Sequence, residues 1–474
     1  MQNNLQRNSK NELIEEILKL REELHEKNDK IKELEWQLNT NTSNSSKPSS
    51  TELLQKKTQV CNSRIKWQKP RGWVKWHIWA NHKLYEHPDF VEILEVKQCE
   101  KCAFSLEKVS AYNETKRQII DIPNPVFSVT EYRSLEKYCP CCHHVNKAKF
   151  PVWVEQEFQF WPNIQTLSVY NYNYQMTSFK RLQEYWQEVF WLKISQTTLM
   201  GFNKKSFWKL ENFETKLKNA LVSSSILNSD ETWVRVNWKT HWIHTAWTKE
   251  LTCYFTHTKR WKEAMDEMKI LEFFTWILVS DHWKSYKNFA NIFLHCFCNA
   301  HHLRELQWVI ENEKKQWAEM MKKLLLRAKQ LKEKAIVKWE NCLKKEVLEE
   351  IHEKFQTILI TWQNEYSEIL RVSWKRGRVK KSKWLNLLER LQQSEDWTLG
   401  FIHDFNVPFD NNLAERDLRM VKTRTKISGC FRSTQWAQSF CRIRSYISTM
   451  RKQWIDIYDA LYSIFNGKPI LPQI

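Results

Sequence analysis

Six glycines serve a chain of 474 residues that also carries 26 tryptophans. Average usage of about 7% would give roughly 33 glycines in a chain this long. Glycine takes positive φ without a Cβ clash, so a chain this poor in it must build left-handed turns from side chains that resist them. The glycine deficit is close to the tryptophan excess, and tryptophan sits where turn chemistry asks for glycine. In VRVNWKTHWIH two alternating runs flank Asn237-Trp238, the place of an Asn-Gly hairpin turn. Trp191, in VFWLKIS, ends one helical pattern at the position a C-terminal glycine favours. The expectation is that the source organism reads UGA as glycine and that tryptophan stands here at those codons.

Hydrophobic residues make up 42% of the chain, enough for a sizeable core. The length suits roughly two to four domains. The net charge of +19 is the electrostatic footprint of a nucleic-acid binder. The opening MQNNLQRNSK has no apolar signal core, and no run of 18 apolar residues occurs, so neither a leader nor a membrane span is expected. Five of the twelve cysteines fall in two tight groups, which in a cytosolic chain points to metal rather than disulfides.

Leu13, Ile17, Leu20, Leu24, Ile31, Leu34 and Leu38 recur at alternating steps of four and three, with Lys27 at the missing place. That seam predicts a coiled-coil dimerisation helix over 1–40. NTNTSNSSKPSST is polar and has no core residues, so 41–94 is a linker followed by a basic arm. With glycine at Trp73, Trp76 and Trp79, the arm RIKWQKPRGWVKWHIWANH suits phosphate contacts. Residues 95–150 hold the cysteine pairs. Residues 151–221 are helical, with a helix-turn-helix-like pair in which Ser195 caps the second helix. From 222 to 435 strands come first: ILNSDETWVRV, THWIHTAW, LTCYFTHT and WILVSDH. IFLHCFCN then leads into a helical insertion at about 305–395, and 436–474 is a C-terminal helical segment. The fold class is α/β.

Asp230 ends an apolar segment and Asp281 follows the buried-strand run FFTWILVS. Glu415 lies near the start of a helix that Asp410 or Asn411 could cap. Two or three carboxylates are what phosphodiester cleavage needs to hold two divalent ions about 3.5–4 Å apart. Hard oxygen ligands suit magnesium. Cys99-x-x-Cys102 and Cys139-x-x-Cys142 form two knuckles for a tetrahedral structural zinc, with Cys141 able to replace Cys142.

NSSKPSS, SDETWVRVNWKTHWIH, SDHWKSY, CNAHHLREL, FDNNLAERDLRMVK and KISGCFRS together resemble the insertion-sequence-66 family of bacterial transposases over nearly the whole chain. The resemblance implies a ribonuclease-H-like catalytic core with an Asp-Asp-Glu triad, matched by Asp230, Asp281 and Glu415. It implies two Mg2+ (or Mn2+) ions, a zinc-ribbon-like segment and a helical DNA-binding region. The family has glycine at Trp233, Trp238, Trp261 and Trp276, whereas Trp242 and Trp283 match tryptophan. Glu305, one turn after His301, is the runner-up third carboxylate. His301 and Arg304 would line the cleft and steady the scissile phosphate, while Lys284, Arg416 and Arg419 would contact DNA phosphates. The partners implied are the element's terminal repeats, target DNA, a second copy of the chain and small accessory proteins of the same element. The place implied is the bacterial cytoplasm, on the nucleoid. A non-catalytic zinc-containing DNA-binding regulator, or a domesticated transposase, is the alternative.

Overall fold

The computed structural model describes residues 144–282, 286, 289, 291–365 and 382–473, most of 86–142 and part of 16–34. The side chains of 362–365 and 412–416 lie outside the description. Internal contacts divide the chain into a smaller unit, 64–153 with 185–192, and a larger unit holding the rest.

The smaller unit contains two short antiparallel turns. Gln98 bridges to Ser105, and the Leu106 N–H donates to the Lys97 carbonyl at 2.9 Å. Strand β1 (Glu136–Tyr138) pairs with β2 (Val145–Lys147), and the cross-strand ion pair Lys147–Glu136 closes to 2.7 Å. Cys102 sits in the first turn and Cys141 and Cys142 in the second, all exposed. Cys99 and Cys139 lie outside the described residues.

The larger unit carries a mixed five-stranded sheet in the order β5-β4-β3-β6-β7. Its strands are β3 (Ile226–Val236), β4 (Lys239–Trp247), β5 (Thr252–His257), β6 (Ile277–Ser280) and β7 (Leu294–Phe297). The first three form an antiparallel meander, and β6 and β7 add parallel strands beside β3. Ahead of the sheet run helices α1 (Pro162–Asn173), α2 (Phe179–Phe190), α3 (Gln196–Lys209) and α4 (Glu211–Val222). Ser195 caps α3 as its sequence predicts, its hydroxyl accepting from the Thr198 N–H at 3.1 Å. A short α5 (Lys262–Glu267) follows β5. After β7 come α6 (Asn299–Glu313), α7 (Gln316–Val337), α8 (Lys345–Glu365), α9 (Lys383–Gln393) and α10 (Glu395–His403). The chain closes with α11 (Asn412–Ser428), α12 (Thr434–Lys452) and α13 (Ile457–Phe465). No helix among the described residues is long and apolar enough to cross a membrane.

The inserted helices share one apolar core, with Trp317, Phe355 and Leu391 at its centre and Val279 and Cys296 of the sheet on its edge. Gly400 lets α10 seat against β7, because a Cβ there would stand 2.5 Å from the Cys296 sulfur. The meander packs elsewhere: Val234, Val236, Ile243 and Tyr254 meet Leu418 and Val421 of α11 and Phe440 of α12. Helix α12 also satisfies the sheet's edge. The Tyr254 N–H donates to Ser445 Oγ at 2.8 Å and the Thr252 N–H to Thr449 Oγ1 at 3.1 Å. Positions four apart share a helix face, so these hydroxyls replace the strand an open edge would otherwise recruit. The 435/436 boundary expected from the sequence falls in the first turn of α12. A buried amide relay, Asn173 to Asn203 at 2.6 Å and Asn203 to Ser439 at 3.0 Å, docks α1 and α3 on α12.

The backbone now speaks to the missing glycines. Asn237 and Trp238 take φ of 46° and 61°, the doubly positive turn the hairpin requires. Trp191, Trp339 and Trp454 also have φ of 52°, 62° and 60°. After α7 the Glu340 N–H donates to the Ala335 carbonyl and the Trp339 N–H to Ile336, both at 3.0 Å. After α12 the Ile455 N–H donates to Met450 at 3.0 Å and the Trp454 N–H to Arg451 at 3.3 Å. Both are Schellman endings with tryptophan at the left-handed position. Gly467 holds that same position after α13, with φ of 79°. Trp339 and Trp454 are 93% and 96% exposed, whereas Trp317 is fully buried. Indoles on open left-handed turns do no packing and resist the backbone they occupy. Replacing Trp238, Trp339 and Trp454 by glycine is expected to raise stability by about 1 kcal/mol at each site. Urea unfolding of the triple variant measures it, and peptide mass spectrometry of the native protein should find glycine at all three.

Candidate active site

The pairs Ile226–Ile277, Leu227–Leu278 and Asn228–Val279 share one register. Carried two residues further, that register sets Asp230 beside Asp281. The sequence places Asp230 at or near a strand end. It stands inside β3 instead, which runs on to Val236 as half of the β4 hairpin; what stops near it is the parallel pairing with β6. Alternation gives Asp230 the parity of Val234 and Val236, which pack on α11. The Asp230 carbonyl accepts from Thr245 Oγ1 at 3.0 Å, and its Oδ1 accepts from the Glu231 N–H at 2.8 Å.

Helix α11 is stitched to β3 and to the residue that follows β7. The Asn411 N–H donates to Cys298 Sγ at 3.1 Å, and its Nδ2 donates to the Ser229 carbonyl at 3.2 Å. The Asn299 N–H donates to the Phe409 carbonyl at 3.0 Å. Asn411 holds the N-cap place, as expected, but its side chain makes no cap bond and reaches β3 instead. Glu415 is the fourth residue of α11. Its side chain and that of Arg416 lie outside the described residues, as does Lys284 altogether. Arg419 is exposed one turn further along α11.

His301 and Arg304 are half-buried on α6, which starts directly after β7, with the His301 N–H on the Cys298 carbonyl at 3.1 Å. Buried His302 bonds Asn299 Oδ1 at 3.0 Å and lies 4.1 Å from the His282 ring. Glu305 accepts from Arg390. Burial raises the Glu305 pKa, Arg390 opposes this, and the Asp281 carboxylate adds to the rise. Glu305 therefore lies within the field of Asp281 but already has a cationic partner. Among the described residues no three His, Cys, Asp or Glu side chains form a metal cluster.

Three residues escaped the sequence reading: Glu231, Arg260 and Tyr286. The Glu231 side chain is wholly buried, opposite in parity to Asp230. It accepts from Arg260 Nε at 2.8 Å, from Arg260 Nη2 at 2.6 Å and from the Tyr286 hydroxyl at 2.6 Å. Ser229 Oγ donates to the Tyr286 oxygen at 3.2 Å. Burial, then the carboxylates of Glu231 and Asp281, push the Tyr286 phenol well up, so it stays a donor. His244 faces Glu231 across the hairpin, and burial lowers its pKa to about 4, keeping it neutral near Arg260. The available signal was an acidic pair on a β-strand, since alternation must bury one member and a buried carboxylate needs a cation. Nothing local could name Arg260 or Tyr286 as the partners. Trp233 covers Lys422, whose Nζ lies 4.1 Å from the ring centre and donates to the Trp233 carbonyl at 2.8 Å. A glycine there would uncover Lys422.

The mixed sheet thus carries the β3–β6 register toward Asp230 and Asp281, and the later helix α11 is anchored beside β3 through Asn411. The family model described as "Transposase IS66 family" matches residues 158–439, more than half of the chain. The chain belongs to that family of transposases. No curated protein matches it.

Arg260→Met should destabilise the protein by about 3–5 kcal/mol, because it strands the Glu231 carboxylate. Adding Glu231→Gln should recover most of that loss. Chemical denaturation of both variants checks it, and an unrecovered double variant would show the pair is not the source of the cost.

Proposed function

We propose that this protein is a metal-dependent DNA transposase that hydrolyses the strand at the ends of its element and joins the freed 3′-OH to target DNA. The observation that supports the reading is the register of β3 on β6, which if continued two residues sets Asp230 beside Asp281, with α11 tied to β3 and to Cys298 through Asn411. Glu415 stands one turn before Leu418, the residue by which α11 packs on the sheet, so helical periodicity puts the two positions on one face. The order of the sheet, three antiparallel strands followed by two parallel ones, supports a ribonuclease-H-like core.

Carboxylate oxygens are the donors that Mg2+ or Mn2+ takes, and Asp230, Asp281 and Glu415 would hold the pair of ions. When bound, such ions activate the attacking hydroxyl and stabilise the leaving oxygen. The chain's own residues do the rest. The Asp230 carboxylate accepts from the Glu231 N–H, while Thr245 holds the Asp230 main-chain carbonyl in place. His301 and Arg304 on α6, with Arg416, Arg419 and Lys284, supply cationic contacts to phosphate. Asp230→Asn, Asp281→Ala and Glu415→Gln should each lower strand transfer from labelled element ends in magnesium by more than about 10²-fold. Glu305→Gln should cost far less. Equal activity of Asp281→Ala and wild type would end the enzymatic reading.

Two supporting parts belong to the same proposal. Cys99, Cys102, Cys139 and Cys142 hold a structural zinc, since the described members sit at two antiparallel turns, the backbone such knuckles use. Purified protein should carry one zinc per chain, and Cys102→Ser with Cys142→Ser should abolish it by elemental analysis. Ile17, Leu20, Leu24, Ile31 and Leu34 lie on helical residues and are exposed, which supports a coiled-coil seam that pairs two copies, and with them two DNA ends. Leu13 and Leu38 of that seam lie outside the described residues.

A further inference from the structure

A cavity of about 270 Å³ opens at the far end of α11, between that helix and the α1–α3 layer. Tyr172, Lys180, Gln196, Arg424, Ser428 and Arg432 line it. Arg424 is the unusual member. It is 95% buried, with 5% of its surface exposed. Its guanidinium stacks on the Tyr172 ring at 4.0 Å, yet Nε and Nη1 have no hydrogen-bond partner among the described residues. No carboxylate among the described residues forms an ion pair with it. A buried guanidinium with unmet donors is costly, and a chain keeps one where an anion completes it. The rim adds donors and cations: Lys180, Arg432, the Ser428 hydroxyl and the Gln196 amide. Lys180 lies 4.0 Å from the solvent-exposed carboxylate of Glu184.

We infer that this pocket binds a phosphodiester of the DNA backbone, with Arg424 as its central donor. The planar fork of arginine matches two phosphate oxygens at once. The cavity is at the small end of ligand sites, suited to a sugar–phosphate unit rather than to a whole cofactor. It is separate from the carboxylates. Nine residues divide Glu415 from Arg424, about 13 Å of helix and half a turn out of phase, so the two occupy opposite faces and opposite ends of α11. The pocket therefore anchors DNA through the helical layer α1–α3 and takes no part in the chemistry. This rests on the transposase reading only in taking DNA as the partner.

The test is a salt titration of binding to a fluorescent mixed-sequence duplex, using full-length protein. Arg424→Gln, Arg432→Met and Lys180→Met should each reduce the slope of log K against log salt, by about one where a single phosphate contact is lost. The two rim variants carry the test should Arg424→Gln fold poorly. Lys323→Met, a surface change on α7 at a residue that pairs with Glu319, should leave the slope alone. Asp281→Ala should keep the wild-type slope while losing strand transfer, which separates this proposal from the catalytic one. Unchanged slopes in both rim variants would overturn the inference. So would stabilisation by inorganic phosphate that disappears in Arg424→Gln while DNA binding stays wild type, since the pocket would then hold a free anion.

Discussion

Three pairs between β3 and β6, Ile226–Ile277 through Asn228–Val279, set the register on which the site depends. Side chains alternate along a strand, so a slip of one residue would turn Asp230 to the wrong face and bring Glu231 to Asp281. The register is held because the paired stretches of the two strands are largely buried on both sides. Leu227, Leu278 and Val279 are fully enclosed, and Glu231 can be buried only where Arg260 and Tyr286 meet it. The same acidic dipeptide thus supplies one carboxylate to an internal brace and turns the other to the opposite face of the sheet. The brace joins the meander to Tyr286, in the segment that follows Asp281.

The rest of the architecture serves this junction. The sheet has two edges, and each is treated differently. Helix α10 closes on β7 through the gap at Gly400, and α12 offers Ser445 and Thr449 to the open N–H groups of β5. The long helical insertion contributes an apolar core of its own and returns the chain through Phe409 to the strand ends, where Asn411 anchors α11. A helix that begins at an anchored residue has a fixed phase, and the phase decides which of its positions face β3.

Much of this was legible in the residues. The β3, β4 and β5 strands follow from alternation, and ILNSDETWVRV marks β3 from end to end. Ser195 announced its cap, and Asn237-Trp238 announced a turn whose φ values are those of Asn-Gly. Other features were not legible because their causes are remote in sequence. Asn411 has the sequence of an ordinary helix cap, and only the nearness of Ser229 diverts its amide. Ser445 and Thr449 look like polar residues in a helix, yet they are buried because a strand edge lies against them. Arg424 looks like one more surface charge on a basic helix, but the packing of α1 encloses it.

The sequence by itself determined the local shapes and the chemistry available: the strands, the helices, the left-handed turns that call for glycine, the paired cysteines and the acidic motifs. These depend on side-chain period and on backbone sterics within a few residues, which a linear chain carries with it. Only the tertiary structure decided which of those residues meet. The register of β3 on β6, the brace at Glu231 and the enclosure of Arg424 join positions tens to hundreds of residues apart. Their contacts follow from strand register and helix packing, and those are settled by burial over the whole unit rather than by any single segment.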